Sequence, residues 1–153
     1  MVKCSAHRPR PVAPVRTPEQ VLEVLGLATD SGRERIVALA CLDQDRRPLT
    51  MFIVEGSPAG PTELSVAADV LLAAILDATG GQDELSPLGA VVLATSRPGQ
   101  PVEPTAADLA AWDQLDERFR RQGISLVDWF ILVDGVAVSV ATRAGQPSRW
   151  TPG

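Results

Sequence analysis

The segment 88-LGAVVLA-94 constrains the fold more than any other part of the chain. It has no polar side chain to turn toward water, so it suits a central strand covered on both faces of a sheet. It runs into the loop 95-TSRPGQPVEPTAAD-108 and then into Leu109, Trp112, Leu115 and Phe119, which recur at helical spacing until Gly123. Beyond the glycine, 125-SLVDWFIL-132 reads as another strand. A buried strand, a helix and a second strand in that order predict a crossover unit inside an α/β sheet. The loop leaves the carboxyl end of the central strand, where open α/β sheets usually hold ligands.

The remaining elements fit around that unit. Thr17-Pro18-Glu19-Gln20 is a helix start, with Thr17 as N-cap, Pro18 at the first helical position and Gln20 as capping-box partner. Val21, Leu22, Val24, Leu25 and Leu27 then define an apolar stripe that ends near Gly32. The runs 34-ERIVALACL-42 and 49-LTMFIVE-55 read as a hairpin around the polar turn Asp43 to Pro48. Leu64, Ala68, Leu71, Leu72 and Ile75 predict a helix over 62–79, stopped by Gly80-Gly81. The run 136-VAVSVAT-142 follows an Asp134-Gly135 turn and reads as a last strand. The expected order is α-β-β-α-β-α-β-β, one α/β domain with a mixed sheet flanked by helices over residues 17–143. A basic, Pro-rich, disordered arm is expected over 1–16 and an irregular tail over 144–153.

Composition narrows the function. Lys3, Arg8, Arg10 and Arg16 fall within residues 1–16, where there is no acid. The body is therefore more acidic than the whole-chain net charge of −5. An acidic body repels phosphate backbones, so a nucleic-acid groove on the folded part is not expected. No apolar run approaches the ~20 residues of a membrane-spanning helix, and the N-terminus lacks the apolar core of a secretory signal. With two cysteines, Cys4 and Cys41, there is no disulfide framework and no metal-ligand spacing. A reduced, cytoplasmic setting is the expectation, with Cys41 as a small core residue.

From Thr17 to about Thr142 the chain resembles the RadC-type branch of the JAMM/MPN metalloprotease-like domains, whose architecture is similar to that of cytidine deaminases. The stretch 98–140 carries most of the likeness. The family's signature is His-x-His-Pro, six residues, then Ser-x-x-Asp. This chain has Thr95-Ser96-Arg97-Pro98, the six residues 99-GQPVEP-104, then Thr105-Ala106-Ala107-Asp108. The spacing agrees and both histidines are replaced. The resemblance implies a zinc site of two His and the Asp with an open position for water, an upstream Glu as base and the Ser hydroxyl at the oxyanion. By position, Thr95 and Arg97 stand for the imidazoles, Thr105 for the Ser, Asp108 for the Asp and Glu34 for the base. Asp128-Trp129 stands where RadC-type chains usually carry Asp-His.

The single histidine, His7, lies in the arm, and a guanidinium beside a zinc position repels the ion. The expectation is therefore no metal, no cofactor and no catalytic residue, with Glu34, Thr95, Arg97, Pro98, Thr105 and Asp108 forming a vestigial site. Arg97 is expected to pair with Asp108 or Glu34, and Trp129 to fill volume that the lost site left open. Plainer roles exist for the same residues. Thr105-x-x-Asp108 is a capping box, Glu34 a strand-end charge, and Trp112 and Phe119 core. The function expected is that of a catalytically inactive binding or scaffold module with an unidentified protein partner, a second copy included. The competing readings are a divergent metal-dependent peptidase or isopeptidase with non-standard ligands, and a DNA-repair-associated RadC homologue.

Overall fold

The computed structural model describes residues 3–7, 17–25, 36–55, 88–97, 99, 101–133 and 135–150. In chain order its elements are β1 (Lys3–His7), α1 (Pro18–Leu25), β2 (Ile36–Asp43), β3 (Pro48–Glu55), β4 (Leu88–Ser96), α2 (Ala106–Arg121), β5 (Ser125–Val133), β6 (Val136–Ser139) and α3 (Val140–Arg143). The six strands form one mixed sheet in the order β1-β3-β2-β4-β5-β6. β4 and β5 are parallel, and the other neighbours are antiparallel. The expected helix over 62–79 lies outside the described residues, as do Glu34 and Pro98.

β4 occupies the interior place that its apolar run requires. Val91, Leu93 and Thr95 face one side of the sheet, and Ala90, Val92 and Ala94 face the other. On the first side α2 lays Ala111, Trp112, Leu115 and Phe119 against Val37, Leu39, Val91, Leu93, Leu126 and Ile131. On the second side Ala38, Ala40, Ala90 and Ala94 make a surface of small side chains, with Val21 of α1, Phe130 and Trp150 in the same cluster. Leu42, Val92, Val127 and Leu132 add the larger aliphatic side chains that close-packing on this face requires.

Local signals explain the element ends. In α1, Thr17 Oγ1 accepts from the Gln20 amide at 3.3 Å and Gln20 Oε1 accepts from the Thr17 amide at 3.2 Å, which is the reciprocal box expected there. In the β2–β3 turn, Asp43 Oδ1 accepts from the amides of Asp45 and Arg47 at 2.8 and 2.9 Å. Arg46 meanwhile adopts a left-handed φ of 68°. Gly89 opens β4 against that turn. A Cβ there would lie 2.9 Å from the Gln44 Cα, so only glycine lets the two backbones meet.

Three expectations are corrected. Residues 3–7 are an edge strand on β3, with Lys3 opposite Glu55 and His7 opposite Met51, rather than part of a disordered arm. The prolines that give the arm its composition, Pro9, Pro11 and Pro14, all follow His7, and strand pairing uses main-chain groups that 3-KCSAH-7 retains. The last strand ends at Ser139 instead of continuing to Thr142. There Ser139 Oγ accepts from the Thr142 amide at 3.1 Å and starts α3. Finally, residues 144–150 have no strand or regular helix but are packed on the domain, with Trp150 buried, so they belong to it.

Candidate functional site

The site grows from the capped start of α2. Thr105 has extended backbone angles and its Oγ1 accepts from the Asp108 amide at 3.1 Å. Asp108 returns the contact, Oδ2 accepting from the Thr105 amide at 2.9 Å. The box sets the start of α2 so that Asp108 lies within hydrogen-bond reach of Arg97. Arg97, just past β4, donates to the Leu132 carbonyl through its amide at 3.0 Å, which extends the β4–β5 ladder by one residue. Its side chain then reaches Asp108 in a bidentate pair, Nη1 to Oδ2 and Nη2 to Oδ1, both at 2.9 Å. Arg97 is 5% exposed and Asp108 is fully buried.

Thr95 and Trp129 complete the group. Trp129 Nε1 donates to Thr95 Oγ1 at 3.0 Å, both side chains being fully buried. The Arg97 guanidinium lies 5.6 Å from the centre of the Trp129 ring, within cation–π range. Trp129 reaches this face through a bulge. Val91 pairs with Leu126 but Val92 pairs with Asp128, so Val127 is the extra residue. Simple alternation from Leu126 would send position 129 to the opposite face; the inserted residue returns it to the α2 side.

The electrostatics follow from these contacts. Burial pushes the Asp108 carboxyl up, but hydrogen bonds from Arg97 and Thr105 and the guanidinium charge outweigh it and hold the group below its usual range. Asp108 is therefore a fixed anion whose oxygens already serve a cation and an amide. Zinc would need deprotonated donors with free lone pairs directed at one point. Here one donor carboxylate is taken, the Thr95 hydroxyl is used by an indole, and Arg97 brings a permanent positive charge. The described residues of this group do not fit zinc. Among the described residues no three His, Cys, Asp or Glu side chains gather as a metal-binding group. Cys41 lies in the core on the α2 side, and burial pushes its thiol up to about 12.

Of the residues nominated from the sequence, the structure brings together Thr95, Arg97, Thr105 and Asp108, with Trp129 beside them. Two further polar groups were not foreseen. Asp128, on the other face of the sheet, accepts from the Trp129 amide (2.8 Å), from Ser139 Oγ (2.8 Å) and from Trp150 Nε1 (3.0 Å). Burial pushes its carboxyl up despite those bonds. Asp116 on α2 accepts from both Arg120 and Arg149, at 2.8 Å in each case. Its carboxyl is pushed up by burial but held low, on balance, by the two guanidiniums. The Asp116–Arg120 pair was legible as an i,i+4 spacing. Nothing local in the sequence marks Arg149 as the distant companion of Asp116, or Trp150 as that of Asp128.

Among the described residues no helix is long and apolar enough to cross a membrane. No protein-family model and no curated protein matches the chain.

Proposed function

We propose that this chain is a RadC-like JAMM/MPN pseudoenzyme, a protein-binding or scaffold module whose zinc site has become an ion-paired strut. The observation that carries the reading is the buried bidentate pair of Arg97 and Asp108. Arg97 holds the position of a family histidine, and its charge sits on the carboxylate that would otherwise bind the metal. Thr105, which bonds Asp108, and Thr95, which bonds the Trp129 indole beside Arg97, support it, because both answer to the signature's spacing. The β4–α2–β5 unit, with the loop at the carboxyl end of β4, is the arrangement in which the family would hold its metal. An active peptidase or isopeptidase would need Asp108 freed and donors from elsewhere. A DNA-binding role has the acidic body against it.

Metal analysis of the purified full chain after incubation with zinc and gel filtration tests the reading. The expected zinc content is far below one ion per chain, with no zinc-dependent cleavage of peptide or isopeptide substrates. One tightly held zinc per chain would sink the proposal.

A further inference from the structure

An unpaired strand edge in a sheet must be either hidden or used. β6 pairs with β5 only over Phe130–Val133. Among the described residues, the first half of β5, from Ser125 to Trp129, has a ladder partner on the β4 side alone. Its other side meets the segment Ala144–Trp150 instead of a strand. Arg149 Nη1 donates to the Leu126 carbonyl and to Asp116 Oδ1, each at 2.8 Å, and Nη2 donates to Asp116 Oδ2 at 3.1 Å. Its guanidinium lies 5.5 Å from the centre of the Trp112 ring, on the α2 side of the sheet. The next residue grips the opposite face. Trp150 Nε1 donates to Asp128 Oδ2 at 3.0 Å, and its ring sits 6.1 Å from that of Phe130.

The segment is a strap held at few points. It leaves α3 through Gly145, whose φ of 77° is in the left-handed region, and the Gln146 amide donates to the Ala141 carbonyl at 3.0 Å. Beyond Gln146, among the described residues, its hydrogen bonds to the rest of the domain come from the Arg149 and Trp150 side chains. The strap does not fill the groove. A concavity of about 490 Å³ lies beside it, lined by Asp116, Arg120, Gly123, Ile124, Ser125 and Arg149.

We infer that the first half of β5 is a peptide-docking edge, covered in cis by Ala144–Trp150. Its external partner is an extended protein segment that presents the same Arg-aromatic pair. The strap itself shows the chemistry such a partner must supply: a guanidinium for Asp116 and the Leu126 carbonyl, then an N–H-bearing ring for Asp128 against Phe130. A tethered cover competes at an effective concentration in the millimolar range, so it lowers the apparent affinity for a free segment without abolishing it. The inference takes from the preceding section only that the domain binds protein, and its test leaves the zinc question untouched.

A fluorescein-labelled peptide of sequence AGQPSRW, titrated by anisotropy into full-length wild type and into Arg149→Ala/Trp150→Ala, tests it. The disarmed strap is expected to give saturable binding, with wild type at least ~10-fold weaker because its own strap competes. Adding Asp116→Ala should abolish binding. No binding to a folded Arg149→Ala/Trp150→Ala chain overturns the proposal. Equal binding by wild type overturns the cis cover, and binding that survives Asp116→Ala overturns the recognition chemistry. Should the double variant not fold, hydrogen exchange on wild type decides. The Trp129 amide, bonded to the Asp128 carboxylate that Trp150 holds, should exchange through an opening that leaves β4 protected; exchange only by global unfolding refutes the strap.

Discussion

Arg97 is buried, and Asp108 meets its charge with both carboxylate oxygens. Such a pair need not add much net stability, since two charges were taken from water to make it, but breaking one side leaves the other uncompensated. Arg97→Ala is expected to cost about 3–5 kcal/mol in urea unfolding at neutral pH. Without the guanidinium, burial dominates Asp108 and its carboxyl rises, so the loss should shrink as acid protonates it. A cost that stays constant between neutral and acid pH would contradict this account. Cys41 gives a simpler test. With its thiol pushed up to about 12 by burial, the thiolate is scarce at neutral pH. A disulfide exchange reagent should label Cys41 only as fast as the protein unfolds.

At the scale of elements, α2 is the hinge between fold and site. Its apolar stripe fixes which face packs, and its capping box fixes where Asp108 begins the first turn. Thr105→Ala removes the acceptor for the Asp108 amide and should cost about 1 kcal/mol, as N-cap losses typically do. Thr105→Ser should recover most of it. Because the Thr105 amide also helps hold Asp108, the alanine variant should retain the Arg97 pair, and a double-mutant cycle with Arg97→Ala should show coupling. Strict additivity would mean that cap and pair are independent. Both capping boxes, the β2–β3 turn and the core stripe of α2 were readable because each is written within about four residues of itself. The end of β6 was misread because Val140 and Ala141 suit a strand, while Ser139 acts as a cap only in the company of Asp128.

For the whole molecule, pH reports on several groups at once. Asp108 and Asp116 are held low by their arginines, so they contribute stability above the usual carboxylate range and lose it as pH falls through their depressed values. Asp128 is pushed up by burial and acts in the opposite sense, contributing below its ordinary pKa and losing that contribution as pH rises through the raised value. With two groups against one, the urea midpoint should fall as pH is lowered below about 4. In Arg97→Ala the fall should be shallower. Local residue patterns were enough to set the central place of β4, the amphipathic cover of α2, the hairpin of β2 and β3, and the spacing that brings Arg97 to Asp108, eleven residues on. Those features depend on periodicity and short loops. Long-range packing, by contrast, is what turns Trp129 to Thr95, brings Trp150 to Asp128 and Arg149 to Asp116, and seats residues 3–7 on an edge. These contacts close loops of 22 to 34 residues, or pair main chain with main chain. No residue pattern at either end specifies them: a one-residue bulge turns Trp129, the open half of β5 receives Arg149, and the free edge of β3 receives residues 3–7.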